Sequence, residues 1–261
     1  MARIILLKNK TVPTDPYDEL FSQYQYEPVF LPLLRHSSIN EKEVKEFLKS
    51  DLYLNEYQAL IVTSQRCIET LAKLLQELRH EKFERLDQIL NKPSYTVGPT
   101  TSQYLKNLGF TDIRGGKDAG NGSILSDIII SDPMFRTSAK KVLFLTGEIR
   151  KDIIPRKLKS IDFSVLELVS YRTEPLEDIQ FRYEQLSQTA PEKSWLIFFS
   201  PQGTADIVSI LKEKKHNFQI ASIGPTTEEY LLDNGIKPAV VSSKPDAESL
   251  LSSIMNYEHA I

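Results

Sequence analysis

The sequence predicts an α/β fold of two similar domains, each built on a parallel sheet. Two observations carry that expectation. Short apolar runs bounded by turn residues alternate with amphipathic stretches, the rhythm of βαβ units. The chain also repeats itself, motif by motif and in the same order. Its 261 residues are enough for one large or two ordinary domains.

The first run, Arg3-Ile4-Ile5-Leu6-Leu7, is too short for a secretion-signal core and reads as a buried strand, expected over 3–8. Further strands are expected at 29–35, 59–63, 94–98, 111–114, 142–146, 164–171, 195–199, 219–223 and 238–242. Helices are expected at 41–49, 66–79, 100–108, 123–130, 149–159, 176–188, 203–213, 226–234 and 247–256. Tyr95-Thr96-Val97-Gly98-Pro99-Thr100-Thr101 is matched by Ala221-Ser222-Ile223-Gly224-Pro225-Thr226-Thr227, and Tyr104, Leu105 and Gly109 recur as Tyr230, Leu231 and Gly235 at the same offsets. Ala59 to Ser64 mirrors Trp195 to Ser200, Arg3 to Leu7 mirrors Lys141 to Leu145, and the 116–125 region echoes 243–251. One such match is chance similarity of βα units; four in one order indicate duplication. Periodicity leaves two arrangements open: tandem domains cut near 131–141, or interleaved domains with crossings near Arg35 and Arg172.

Composition removes several function classes. With 41% hydrophobic and 26% charged residues the chain reads as globular, and no apolar run approaches the roughly 20 residues that span a bilayer. A net charge of −3 without a basic block argues against nucleic acid. The lone Cys67 fits a reducing compartment, hence a cytoplasmic setting. His36, His80, His216 and His259 lack metal-ligand spacing, so no metal site is expected.

In open α/β sheets ligands bind at the carboxyl ends of strands, where helix N-termini converge. Ser64 and Ser200 each end an apolar strand before an expected helix, and Gly98 and Gly224 end another, each followed by Pro-Thr-Thr. Glycine admits close backbone approach, proline suits a first helical turn, and threonine hydroxyls such as those of Thr101 and Thr227 can cap the helix or bind an anion. The bland alternative is that each Ser or Thr is only a cap; their fourfold recurrence favours a shared anionic ligand. The glycine-rich stretch from Gly115 to Gly122 lacks the Gly-Lys-Ser/Thr ending of a phosphate loop and reads as a plain strand-to-helix connection. Cys67 reads as a packed thiol. Strand 29–35 corresponds to 166–172, so Tyr171 stands where the first copy has Leu34: either an ordinary half-buried strand tyrosine or a specialised hydroxyl.

Taken together, Val62-Thr63-Ser64, Val97-Gly98-Pro99-Thr100-Thr101, Leu143-Phe144-Leu145-Thr146-Gly147, Val169-Ser170-Tyr171-Arg172-Thr173, Phe198-Phe199-Ser200-Pro201 and Ile223-Gly224-Pro225-Thr226-Thr227 resemble the uroporphyrinogen-III synthase family, with an overall pattern similar to fungal members. The resemblance runs through nearly the whole chain; the charged stretch 76–92 has no partner in the second half and reads as a peripheral elaboration. It implies two flavodoxin-like, HemD-type domains interleaved in sequence, 1–35 plus 173–261 and 36–172, joined by a two-strand hinge. It implies the substrate hydroxymethylbilane, a linear tetrapyrrole with eight carboxylates, closed into a ring with loss of water and inversion of ring D, without a cofactor. Tyr171 would face the cleft as a proton donor, since a phenol keeps its proton at neutral pH. Ser64, Gly98, Thr101, Ser200, Gly224 and Thr227 would bind substrate, and the protein would act as a monomer. The rival readings are a hinged, non-catalytic binding module and a nucleotide-dependent enzyme. No secretion signal or basic DNA-reading appendage supports the first, and no phosphate fingerprint supports the second; fold alone leaves all three open.

Overall fold

A computed structural model of the protein describes residues 1–12, 14–137 and 139–260. In chain order the strands are β1 (Arg3–Leu7), β2 (Glu27–Phe30), β3 (Leu34–Ser38), β4 (Ala59–Val62), β5 (Ser94–Val97), β6 (Ile113–Gly116), β7 (Lys141–Gly147), β8 (Ser164–Pro175), β9 (Trp195–Phe198), β10 (Gln219–Ser222) and β11 (Val240–Val241). The helices are α1 (Pro16–Gln23), α2 (Glu41–Lys49), α3 (Asp51–Glu56), α4 (Gln65–His80), α5 (Leu86–Leu90), α6 (Pro99–Leu108), α7 (Gly122–Ser131), α8 (Ile153–Lys159), α9 (Ile179–Thr189), α10 (Ala205–Glu213), α11 (Pro225–Asp233) and α12 (Ala247–Ala260). Among the described residues, no helix is long and apolar enough to cross a membrane.

The chain forms two compact units, one of Met1–Arg35 with Glu174–Ile261 and one of His36–Thr173. The first carries a sheet in the order β11-β10-β9-β1-β2, the second a sheet in the order β3-β8-β7-β4-β5-β6. Parallel strands are buried on both faces, so they need continuous apolar runs rather than alternation. Ala59 to Val62 and Trp195 to Phe198 are accordingly buried at every position. Leu60 and Val62 pack under α4 with Leu71, Leu74 and Leu75, while Ala59 and Ile61 pack on the other face with Leu125, Ile129 and Phe144. Each such side chain contributes about 1.5–3 kcal/mol by leaving water.

The duplication holds at the level of strand register. In the second unit Leu60 pairs with Leu143 and Ile61 with Tyr95; in the first, Leu196 pairs with Ile5 and Ile197 with Ala221. Leu143 faces Leu166 as Ile5 faces Val29. Every one of these pairs joins residues that the sequence repeat equates. Even a polar oddity is shared, because Thr96 and Ser222 hold matching positions, fully buried, with hydroxyls that lack a hydrogen-bond partner.

Several expected elements differ. The run 29–35 is two strands, because Pro32 has no N–H to give a ladder. β2 stops at Phe30, and β3 pairs antiparallel with β8, as shown by Leu176 N–H to Leu33 O (2.9 Å) and Ile39 N–H to Ser170 O (3.0 Å). The helix expected at 149–159 begins only at Ile153, leaving 149–152 as a turn at the sheet edge. The strand expected at 111–114 lies at Ile113–Gly116 and takes in two glycines. α1, α3 and α5 were not expected, although the Asp15-Pro16 start of α1 is a legible signal: Asp15 Oδ1 accepts from Tyr17 N–H at 3.0 Å.

Two carboxylates tie loops to these units. Asp15 takes Lys8 Nζ at 2.6 Å and Thr11 N–H at 2.9 Å; Asp132 takes the Tyr95 phenol at 2.7 Å, Arg114 at 2.6 Å and Met134 N–H at 3.0 Å. Burial, the largest influence on each, would raise the carboxyl pKa, yet these donors together hold both below the ordinary 3.8. A depressed folded-state pKa stabilises fully above the unfolded value and loses that contribution as pH falls through the folded one. Urea unfolding should therefore weaken below about pH 4. Asp15→Asn and Asp132→Asn should each be less stable at neutral pH and show a flatter acid limb than the parent.

Candidate functional site

The registers align the strand ends. Counting on from Ile61 opposite Tyr95, Ser64 comes level with Gly98; counting on from Phe198 opposite Ser222, Ser200 comes level with Gly224. Each unit thus presents a serine and a glycine side by side at the carboxyl edge of its own sheet.

In the second unit this edge opens into a cavity of about 290 Å³ lined by Thr63, Ser64, Val97, Thr146, Gly147, Ile149, Arg150, Lys151 and Tyr171, among others. Ser64 caps α4 by accepting the Arg66 N–H at 3.2 Å, so the bland reading of that residue is correct. It is also incomplete, since the Ser64 hydroxyl lies 3.3 Å from the Tyr171 oxygen and donates to it. With Ser64 supplying that proton, the phenol's own proton is left to point elsewhere. Tyr171 is half-buried, and the edge of its ring meets His36 with centroids 6.3 Å apart. Burial foremost, then the Arg66 charge, hold His36 below the usual histidine range, with Glu69 opposing; its Nδ1 pairs with Thr173 Oγ1 at 2.9 Å.

The two Gly-Pro-Thr-Thr turns start α6 and α11 without any side-chain cap. Proline fills the first helical position, so Thr100, Thr101, Thr226 and Thr227 offer the N–H groups that a helix start leaves unpaired. Gly98 has φ +79°, a conformation that excludes ordinary side chains, while Gly224 at φ 172° is simply extended. At both, the space where a side chain would stand is open. Thr101 is half-buried, whereas Thr227 is only 4% exposed.

Ser200 departs from the expected pattern. It is exposed and caps nothing, because α10 begins at Ala205 with Thr204 before it. The turn is held instead by the Thr204 hydroxyl donating to Pro201 O at 2.7 Å.

Cys67 is fully buried, its thiol donating to Leu145 O at 3.3 Å, and burial pushes it up to about 11. Among the described residues no group of three or more His, Cys, Asp or Glu could hold a metal ion. Sequence reasoning missed the turn after β7: Arg150 pairs with Glu167, while Lys151 is exposed at the cavity and has no ion-pair partner among the described residues. An Arg-Lys pair after a strand was its only signal.

Fold and edge together define a duplicated α/β protein with main-chain donors and small hydroxyls at its strand ends and one phenol beside them. Residues 15–252 match the family described as uroporphyrinogen-III synthase HemD. The uroporphyrinogen-III synthases of Saccharomyces cerevisiae and Schizosaccharomyces pombe are 41% and 38% identical, covering 98% and 99% of this chain and 96% and 98% of theirs. Among solved structures, the Helicobacter pylori uroporphyrinogen-III synthetase superimposes with TM-score 0.60 at 19% identity over 98% of this chain and 99% of its own. A mutant Thermus thermophilus uroporphyrinogen III synthase gives 0.56 at 13% over 100% of both. The two solved structures share the fold. The chain belongs to the uroporphyrinogen-III synthase family.

Losing the α4 cap in Ser64→Ala should cost about 0.5–2 kcal/mol in urea unfolding. Cys67 should resist alkylation at pH 8 in the native protein and react promptly once unfolded; fast native labelling would contradict its burial.

Proposed function

We propose that this chain closes hydroxymethylbilane into uroporphyrinogen III, with loss of water and inversion of ring D. The observation that carries the reading is the Tyr171–Ser64 pair at a cationic cavity on the sheet edge, in a chain of this family.

The chemistry fits those groups. A pyrrole nitrogen pushes electrons toward the terminal carbon, the C–O bond breaks with its electron pair on oxygen, and Tyr171 hands that oxygen a proton so that water leaves. Ring D is then inverted through a spiro intermediate, and the proton released on closure restores the phenol. Acid assistance of this kind is worth roughly 10²–10⁴-fold. Ser64, by donating to the phenol oxygen, orients the phenolic proton toward the leaving group.

The substrate closes without inversion when left alone, so the protein's main task is to direct. Holding the ends of a flexible chain in one geometry is an entropic gain worth several kcal/mol. Its carboxylates would be taken by the N–H groups after Gly98 and Gly224, by Thr101 and Thr227, and by Ser200 at its exposed edge. Each charge-assisted bond contributes about 1.5–3 kcal/mol, much of it offset by desolvation. A reduced, buried Cys67 supports work in the cytoplasm.

Freshly made hydroxymethylbilane should yield the type III isomer; formation of the type I ring alone would reject the activity. Tyr171→Phe should lower kcat about 10²-fold or more with little change in KM. Thr227→Ala should raise KM, and unchanged constants would reduce Thr227 to packing.

A further inference from the structure

We propose that Gly147 is a positioning residue for Tyr171, its missing side chain forming the seat on which the phenol lies. The proposal rests on the reading of Tyr171 as the proton donor.

A Cβ placed on Gly147 would overlap the Tyr171 ring at Cζ and come within 2.7 Å of the phenolic oxygen and 2.8 Å of Cε1. The obstacle is therefore the reactive end of the side chain, not its stem. Gly147 has no left-handed φ, so its backbone conformation is open to any residue. Space, not conformation, demands glycine here.

The strand pairing delivers the ring to that seat. β7 and β8 run in step from Lys141 opposite Ser164 to Thr146 opposite Val169, and then the register slips so that Gly147 faces Tyr171 rather than Ser170. A slip of one residue changes which face of the sheet a side chain occupies. Without it Ser170 would face Gly147 and the phenol would sit on the opposite face. The slip is pinned on both sides. Tyr171 O accepts the Glu148 N–H at 3.0 Å, and the displaced Ser170 is fully buried, its carbonyl accepting from Thr70 at 3.2 Å and from Ile39 N–H at 3.0 Å.

The duplicated unit supplies an internal control. By the repeat, Gly147 corresponds to Asn9 and Tyr171 to Leu34. Where the phenol is absent the glycine is absent too, and Leu34 instead lies over Gly203, 2.7 Å from where a Cβ would stand. Glycine and phenol thus appear together in one copy and are both replaced in the other.

The test uses the full chain with hydroxymethylbilane. Gly147→Ala should lower kcat by about ten- to a hundredfold while KM holds, the cost of shifting an acting group by an ångström or less. In the Tyr171→Phe background the same substitution should cost no further rate. Thermal unfolding closes the cycle, because Gly147→Ala should lower Tm beside tyrosine and leave it unmoved in the Tyr171→Leu background. If Gly147→Ala does not fold, its folding in the Tyr171→Leu background is the supporting result. Unchanged kcat, an equal further loss beside phenylalanine, or equal destabilisation in both backgrounds would each overturn the proposal. Full activity in Tyr171→Phe would instead sink the proton-donor reading, a failure told apart because the unfolding cycle would still report the clash.

Discussion

Parallel register is the constraint on which the rest depends. Because neighbouring strands run the same way and are locked in step, their carboxyl ends come level, and whatever residue follows each strand is delivered to one edge. Ser64 beside Gly98 and Ser200 beside Gly224 are consequences of the pairing of Ile61 with Tyr95 and of Phe198 with Ser222. Moving any one strand by a residue would swap its side chains between the two packed faces of the sheet, where the layers on either side no longer fit them. The core thus enforces most of the site geometry, to which Ser64 adds the cap of α4.

Duplication gives two such edges, and they have diverged. The second unit keeps a serine that caps its helix and meets a phenol, whereas in the first the corresponding serine is exposed and the helix begins later, behind Thr204. Both retain Gly-Pro-Thr-Thr, a turn that leaves helix-start N–H groups unpaired and leaves open space above the glycine. Uncapped helix starts are common to the two, and the serine–phenol pair belongs to one.

Local electrostatics matter more than the field of the whole molecule, which carries a net charge of −3. Lys151 and Arg150 bring positive charge to the cavity of the second unit, although Glu167 neutralises the arginine. Main-chain dipoles supply the remainder, and they neither titrate nor need side-chain entropy to be spent.

The fold class and the equivalence of the halves were legible in the sequence, because both follow from apolar periodicity and from motifs held at constant offsets. So were the helix starts at Gly98 and Gly224 and the inert burial of Cys67, each a matter of local chemistry. What the tertiary structure decided were the features that depend on pairing across strands. Pro32 split an apparent strand and sent Leu34–Ser38 to β8; the slip after Thr146 set Tyr171 on Gly147; the late start of α8 left Lys151 at a cavity. None of these is a property of one segment. Each is set by which neighbour a strand meets and in what register, and a single chain read end to end does not contain that partner.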